Sequence, residues 1–476
     1  MINGIGPGGF SQLHLSSASA SARVTSSTAS NATRQNSLTA DASAKVTFSE
    51  ATDAISAVYQ MTPARVTAST ALSSEVQTQA IGALRSTGVS MNGIGSALLS
   101  ALTQQRDDVT ISVPASGGAQ TDTQSAMALE ITTQSGVSLT LQMTRQQDGV
   151  AVALKTTHGK LSDDEAAAIA KLSGALEKTL SGLDNGNGKL DVGDLLSFDS
   201  NQLASVDLKT DLRRGGEVMQ SLNLHADPSS RWLGFHNADA SFKLTTDMRS
   251  LAQASNAGQQ QSALAQWSTK FDQAASRGHG DRAALALFKQ GFETLNSTSA
   301  AAGVAMRTPQ AITVGAHAAQ AGAISGLADF SASYHQTARS SNPLKPEEED
   351  TFALDVAQRS SQQKNGDTQR MTQETLFKLN ASFHTALSAS SPLALNETKA
   401  SQNYHYHQIH DETRSTTEVT QDAQGNLTAC FAQQLTQQET VKTYQLAKLI
   451  DSTSTPHSEK SESTRHYSPA MCLAQA

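Results

Sequence analysis

Three histidines lie close together in the segment YHYHQIHD at 404–411. In an extended strand, alternate side chains project from the same face about 7 Å apart. His405 and His407 could therefore bind one metal ion together, because imidazole is a common ligand of zinc and copper. His410, or Asp411 beside it, could add a third ligand after a turn. Surface histidines that alternate with tyrosines on a half-buried strand are the commoner origin of such a pattern.

A second cluster carries oxygen ligands, in the sequence LDNGNGKLDVGD at 183–194. Its spacing resembles that of the calcium loops of EF-hands, and especially those of dockerin modules, in which the last residue is often Asp. Gly188 takes the position at which such a loop must bend sharply. The resemblance implies calcium ligands at Asn185, Asn187, Lys189, Asp191 and Asp194.

The loop departs from the calcium-binding pattern at its first position. Leu183 stands where EF-hand loops have Asp, and amides rather than carboxylates stand at 185 and 187. A site with so little negative charge attracts a divalent cation poorly, so we expect weak calcium binding or none. The alternative is an Asn/Gly-rich turn that leaves a helix and is stabilised by its own side chains.

The sequence contains no catalytic or cofactor-binding motif. Neither Gly-x-Ser-x-Gly nor His-Glu-x-x-His occurs, and the Ser-x-x-Lys match at 361–364 lacks the companion motifs of serine acyltransferases. The Gly188-Lys189 pair lacks the preceding glycine and the following hydroxyl residue of a phosphate-binding loop. The Gly-Ile-Gly at 93–95 precedes no βαβ unit, so it predicts no dinucleotide site. These observations favour a protein without catalytic activity.

Periodic apolar residues predict the elements that precede the loop. Apolar and polar residues alternate at 127–131, 137–143 and 150–154, which is typical of an antiparallel meander with one buried face. The sequence SDDE at 162–165 is a capping box and predicts the start of a helix. Apolar residues then recur every three or four positions from 169 to 183, so we expect this helix to pack on the strands.

These patterns predict an α+β fold, consisting of an antiparallel meander with a packed amphipathic helix, flanking helical segments and disordered N- and C-terminal tails. The predicted segments are a disordered Ser/Ala-rich leader at 1–50, a helical segment at 51–107, an α+β module at 108–255, a helix pair at 256–297, a linker at 298–350, a mixed, mainly extended region at 351–451 and a disordered tail at 452–476. Within the extended region, a hairpin turn is predicted at 422–426.

The interval 126–214 holds the predicted strands, then GKLSDDEAAAIAKLSGALEKTL, then LSFDSNQLASVDLKTDL. This strand–helix–strand order resembles a group of uncharacterised proteobacterial proteins and covers a minor part of the chain. Chains of this kind carry a dehydrogenase label. No motif in the residues supports that activity, and the resemblance implies no catalytic residue.

Residues 1–40 contain no Asp, Glu or Lys, and Arg23 and Arg34 are their only charged side chains. A secretory signal peptide requires a basic start and an apolar block, and both are missing. The composition resembles the uncleaved export signals of proteins that bacterial type III machines handle, whether injectisome or flagellar. A disordered tail without a targeting role is the alternative.

The overall composition excludes several classes of protein. A formal net charge of −8 argues against a dedicated nucleic-acid binder. No apolar run is long enough to cross a bilayer as a helix. Two cysteines, Cys430 and Cys472, are too few for a disulfide scaffold, and the sequence leaves open whether they pair.

We therefore predict a non-enzymatic bacterial interaction protein with a protein partner and no cofactor. It is either cytoplasmic or exported without a cleaved signal peptide through a type III or flagellar route. The alternative is a module that binds calcium or zinc, or an enzyme of unknown type.

Overall fold

The computed structural model describes residues 109–114, 123–146, 149–184, 190–249, 257–297, 314, 318, 322–388 and 392–467. The chain divides into two compact units. Of the described residues, those up to 238 belong to the N-terminal unit and those from 239 to 467 belong to the C-terminal unit. The predicted leader at 1–50 and the predicted helical segment at 51–107 lie outside the described residues.

The N-terminal unit contains an antiparallel sheet in the order β1-β4-β3-β2-β5-β6-β7. Its strands are β1 Val109–Pro114, β2 Thr123–Thr133, β3 Ser138–Gln146, β4 Gly149–Thr157, β5 Leu203–Arg214, β6 Glu217–Ala226 and β7 Ser230–His236. The predicted meander is confirmed as β2, β3 and β4. Leu129 lies opposite Leu141 across β2 and β3, and both are buried, because apolar residues at alternate positions share one face of the sheet.

The helix that follows the meander, α1, spans Asp163–Asp184, and a short helix, α2, spans Gly193–Leu196. The predicted capping box is confirmed. The Ser162 N–H donates to Glu165 Oε2 (2.8 Å), and the Glu165 N–H donates to Ser162 Oγ (3.2 Å). The Ser135 hydroxyl also donates to Glu165 Oε1 (2.6 Å), which ties the helix start to the turn between β2 and β3. Burial acts to raise the pKa of Glu165, but these hydrogen bonds lower it to about 2.

Substitution of Ser162 by Ala tests this helix start. Because the N-cap hydroxyl satisfies a backbone N–H that has no partner within the helix, we expect Ser162→Ala to lower the free energy of unfolding by about 1 kcal/mol. Urea denaturation followed by circular dichroism measures the loss. An unchanged free energy of unfolding would show that the hydroxyl does not stabilise the helix.

In the C-terminal unit, antiparallel strands pair in the order β8-β9-β11-β12-β13-β14-β15, with β10 paired to β11. Its strands are β8 Ala240–Asp247, β9 Asp329–Gln336, β10 Arg339–Ser340, β11 Glu349–Asn365, β12 Thr368–Ala386, β13 Tyr404–Gln421, β14 Leu427–Gln445 and β15 Lys448–Tyr467. The predicted hairpin turn at 422–426 is confirmed between β13 and β14. There the Asp422 N–H donates to the Asn426 carbonyl (3.1 Å).

The predicted helix pair is confirmed as α3, Ala257–Gly278, and α4, Arg282–Asn296. These helices pack on the strands of the C-terminal unit through aromatic side chains. Phe271 lies between the rings of α4 and Phe377 of β12. The buried aromatic residues of this core include Phe242, Trp267, Phe271, Phe288, Phe292, Phe330, Tyr334, Phe352 and Phe377.

The tight turn between α3 and α4 fixes the helices against the sheet. A Cβ atom on Gly278 or Gly280 would come within 2.9 Å of the Phe352 ring. Only glycine allows the backbone to approach this ring so closely. His279 between them has a φ of 53°, and its ring stacks on Phe383 of β12 with centroids 3.9 Å apart.

The predicted α+β class is wrong. The described residues form mostly antiparallel sheet with few helices. The predicted disordered tail is wrong for 452–467, which belong to β15, and the predicted linker contains β9 and β10. β9 does alternate, with Phe330, Ala332 and Tyr334 buried on one face. β15 has no buried residue, so pairing with β14 determines its conformation. Residues 468–476 lie outside the described residues.

The helices can be compared with the length and hydropathy that a membrane span requires. Among the residues that the structure describes, no helix is both long enough and apolar enough to cross a bilayer.

Candidate functional site

His405 and His407 project from the side of β13 that faces α3, and their ring centroids lie 6.2 Å apart. The Nδ1 atom of His407 lies 2.9 Å from Glu439 Oε1, and its Nε2 atom lies 3.0 Å from Thr385 Oγ1. The Nδ1 atom of His405 lies 3.0 Å from Thr443 Oγ1. The structure therefore brings these two predicted site residues together, and neighbouring strands hold both rings at Nδ1.

Arg277, near the end of α3, fixes the acidic residues beside these histidines. Its guanidinium donates to Glu439 Oε2 (2.6 Å) and to Asp411 Oδ2 (3.3 Å). The hydrogen bond from His407 lowers the pKa of Glu439, burial opposes this, and Arg277 lowers it further, to about 2. Asp411, which the sequence offers as a third ligand, is thus paired with Arg277.

The structure separates His410 from the other two histidines. Alternate residues of a strand face opposite sides, so His410 projects from the other face of β13. There its Nδ1 atom lies 2.9 Å from Asn380 Oδ1, and its side chain is exposed. His410 therefore cannot complete a three-histidine site with His405 and His407.

His279 is a fourth histidine near this group that sequence patterns do not reveal. Its ring stacks on one face of Phe383, while His407 stacks on Phe383 with centroids 4.7 Å apart. Burial, and then the charge of His407, lower the pKa of both His279 and His405. Both imidazoles are therefore biased toward the neutral form.

The opposite face of the same strands carries a buried polar network that the sequence reasoning missed. We call it the Glu348 network, and it consists of Glu348, Asp350, His384, Tyr404 and Tyr444. The hydroxyls of Tyr404 and Tyr444 each donate to the Glu348 carboxylate at 2.7 Å. His384 lies between the two acids, with Nδ1 2.7 Å from Asp350 Oδ1 and Nε2 3.6 Å from Glu348 Oε2.

The burial of its charged groups determines whether the Glu348 network can bind a substrate. The His384 side chain is 0% exposed and Glu348 is 5% exposed, so a substrate cannot reach either group in this conformation. The network instead joins the segment before β11 to β12, β13 and β14, and the side chain of Asn342 adds a hydrogen bond to the Tyr404 hydroxyl (3.0 Å). In the sequence, the signal that could have indicated this network is the alternation of Tyr404 with Tyr406, whose ring lies beside His384.

The calcium-loop prediction lies mostly outside the described residues, which omit Asn185, Asn187 and Lys189. Asp194 accepts a hydrogen bond from Lys178 at 2.5 Å. Asp191 is exposed, and its main-chain carbonyl accepts from the Thr179 hydroxyl (2.6 Å). Within the described ranges, no group of three or more His, Cys, Asp or Glu side chains is arranged to hold a metal ion. Calcium binding by this loop stays a prediction.

Cys430 is exposed and its thiol is free. Its side chain projects from the exposed face of β14, 3.7 Å from Thr464 Oγ1. Cys472 lies outside the described residues.

β15, the last strand in the order of the C-terminal unit, forms an exposed surface. β15 pairs with β14 from one end to the other, and none of its 20 residues is buried. Three large apolar residues are exposed around its start, with Leu446 at 59%, Leu449 at 47% and Ile450 at 53%. In the described part of the chain, no strand pairs with the other side of β15.

Comparison with known proteins finds no matching family model, no matching curated protein and no matching solved structure.

Proposed function

We propose that this chain is a non-enzymatic interaction protein that associates with a second copy of itself through β15. The observation that carries the proposal is the outer edge of this strand, which is 20 residues long, has no buried residue and pairs with no strand among the described residues. A sheet edge presents a row of backbone N–H and C=O groups with which another strand can pair. Strand addition at such an edge is a recurrent mode of protein association.

The length of β15 suits pairing with its own copy. Two copies can pair antiparallel about a two-fold axis, and such an interface uses the same surface of both molecules. An axis at Ser458 places the strands opposite each other along nearly their whole length, because Ser458 lies near the middle of Lys448–Tyr467. Each residue then lies opposite the one that is equally distant from Ser458 in the second copy.

Charges along β15 are complementary in this register. Asp451 lies opposite Arg465 of the second copy, and His457 lies opposite Glu459 of the second copy. The two-fold axis repeats each pair. Opposite charges that face each other across antiparallel strands stabilise the pairing, and like charges oppose it.

Neighbouring registers lack this complementarity. A two-fold axis at Glu459, Lys460 or Glu462 would place that charged residue opposite its own copy. With the axis at Ser458, Lys460 faces Pro456 and no two like charges lie directly opposite each other. The charges therefore favour one register over those alternatives.

The exposed apolar residues near the start of β15 support the same arrangement. Pairing about Ser458 brings Leu449 and Ile450 of one copy to the Tyr467 end of the other. Burial of apolar side chains favours association, and exposed apolar clusters on a protein surface often mark such contacts.

Pro456 and the charged residues also limit which strands can pair with β15. Proline has no N–H to donate, and charged side chains on an edge discourage indiscriminate pairing. These features support pairing with one complementary strand rather than open-ended aggregation.

Sedimentation velocity of the full chain tests the proposal. We expect a monomer at low concentration and an increasing fraction of dimer as the concentration rises. A sedimentation coefficient that remains that of the monomer at every concentration would overturn self-association.

Export without a cleaved signal peptide stays a separate prediction. The leader that motivates it, 1–50, lies outside the described residues, and association through β15 does not depend on it.

A further inference from the structure

We propose that His405 and His407 form a binding site for a divalent transition-metal ion, with Cu²⁺ as the ion bound most tightly. This site goes beyond self-association and does not depend on it. Two imidazoles on one face of a strand, with ring centroids 6.2 Å apart, can turn toward a common ion between them. Imidazole ligands suit copper, zinc and nickel, and copper heads the order of affinities among divalent first-row ions.

The hydrogen bonds of His407 fix which nitrogen it offers to a metal. The Glu439 carboxylate lies 2.9 Å from Nδ1 of His407 and forms an ion pair with the Arg277 guanidinium. A carboxylate only accepts hydrogen bonds, so Nδ1 of His407 must carry the proton. In the neutral ring Nε2 then holds the lone pair, and in this structure that atom accepts from the Thr385 hydroxyl.

A carboxylate that holds the imidazole N–H is the usual support of a metal-binding histidine. It fixes the orientation of the ring and raises the basicity of the nitrogen that binds the metal. Arg277 in turn holds Glu439 through a 2.6 Å hydrogen bond from α3. Glu439 and Arg277 therefore connect His407 to helix α3.

The Nδ1 atom of His405 lies 3.0 Å from Thr443 Oγ1, a hydroxyl that can accept the imidazole N–H. This contact leaves Nε2 for an ion. Thr385 lies directly opposite His405 across β12 and β13, so a metal ion between the two rings would take the place of the Thr385 hydroxyl on His407.

Two protein ligands leave the remaining coordination positions to water. His410 is on the other face of the strand, and His279 stacks on Phe383, which also stacks on His407. The site thus resembles neither a closed structural zinc site nor a calcium site, since the first needs four protein ligands and the second needs oxygen ligands.

Titration of the full chain with Cu²⁺ tests this inference. The experiment uses the Cys430→Ser/Cys472→Ser variant, because thiols are themselves ligands of soft metal ions. We expect the tightest class to contain one Cu²⁺ per chain, with two imidazole nitrogens in its electron paramagnetic resonance spectrum. His407→Gln should weaken binding at least about tenfold and remove one nitrogen, and the matched control His410→Gln should change neither.

Variants of the supporting residues separate a metal site from a merely structural histidine pair. Glu439→Gln should weaken Cu²⁺ binding about 10- to 100-fold. Thr385→Val should strengthen it, because the hydroxyl that competes for Nε2 of His407 is gone. Equal Cu²⁺ affinity in the parent and in the His405→Gln/His407→Gln variant would overturn the proposal, as would a spectrum without the two imidazole nitrogens.

Discussion

Asp451→Arg is expected to weaken self-association by about 2 kcal/mol, which is roughly a thirtyfold rise in the dissociation constant of the dimer. In the register about Ser458, the substitution places arginine opposite Arg465 of the second copy, and the two-fold axis repeats this repulsion. Asp451 is exposed, and its carboxylate accepts one hydrogen bond, from the Thr453 hydroxyl (2.9 Å). The substitution should therefore change the free energy of unfolding of the monomer little. Sedimentation equilibrium measures the dissociation constant.

Charge exchange provides the decisive control for this prediction. Arg465→Asp should weaken the dimer as Asp451→Arg does, and the double variant should restore it, because opposite charges face each other again. Lys460→Glu changes the charge by the same amount at a position that faces Pro456, so it should have little effect. Failure of the double variant to recover the affinity of the parent would contradict the register.

Glu348→Gln is expected to lower the free energy of unfolding by about 3 kcal/mol. The substitution replaces a buried carboxylate that accepts hydrogen bonds from Tyr404 and Tyr444 and lies beside the His384 imidazole. An amide has one acceptor oxygen, so one tyrosine hydroxyl faces an N–H group and His384 loses an ionic partner. Urea denaturation of the full chain measures the loss.

The next residue, Glu349, provides a matched control, because Glu348 is buried and Glu349 is exposed. Glu349→Gln removes the same charge at the adjacent position, where the side chain is exposed. We expect Glu349→Gln to leave the free energy of unfolding nearly unchanged. Equal losses in the two variants would contradict the assignment of stability to the Glu348 network.

The Glu348 network also predicts a pH optimum of stability. Burial would raise the pKa of Glu348, but contacts with His384, Tyr404 and Tyr444 lower it from 4.5 to about 2, so its stabilising contribution is lost as the pH falls from 4.5 toward 2. Burial would lower the pKa of His384, but Asp350 and Glu348 raise it above 6.5. Its contribution is therefore complete below pH 6.5 and is lost as the pH rises through the raised value.

The two titrations place the greatest stability from this network between pH 4.5 and 6.5. We expect the parent chain to lose more stability than Glu348→Gln on acidification from pH 4.5, because the variant has no carboxylate to protonate at 348. Urea denaturation at several pH values measures the difference. Parallel pH profiles would contradict it.

Local patterns predicted those parts of the fold in which apolar spacing and capping agree. The meander of β2, β3 and β4 has clean alternation, and the capping box at 162–165 places its hydrogen bonds as expected. Helices α3 and α4 carry apolar faces rich in aromatic residues. In each case one short stretch of sequence contains the signal, because the element buries one face.

β15 could not be predicted in this way, because neither of its faces is buried. Its pairing depends on β14, and the turn that joins them consists of Leu446 and Ala447 with φ values of 50° and 67°. Such left-handed turns usually contain Asn or Gly. Here Gln402 and Asn403, distant in sequence, accept hydrogen bonds from the two turn N–H groups. Tertiary contacts, rather than the local sequence, therefore determine this turn and the pairing of β15.

The candidate metal site was predicted in part. Strand periodicity placed His405 and His407 on one face, but the turn expected before His410 does not occur, since β13 continues to Gln421. Glu439, Thr385 and Arg277 come from other elements. Their positions follow only from the register of three strands and the end of α3, which a single sequence does not specify.

Disulfide trapping at Ser458 tests self-association through β15 most directly. In a Cys430→Ser/Cys472→Ser background, Ser458→Cys places the two introduced thiols opposite each other on the two-fold axis, where Cβ atoms of paired strands lie about 5 Å apart. The control Ser463→Cys separates its two copies by about 34 Å along the strands. We predict that mild oxidation yields a covalent dimer of the Ser458→Cys variant and none of the Ser463→Cys variant. Equal cross-linking of both variants, or of neither, would contradict the account.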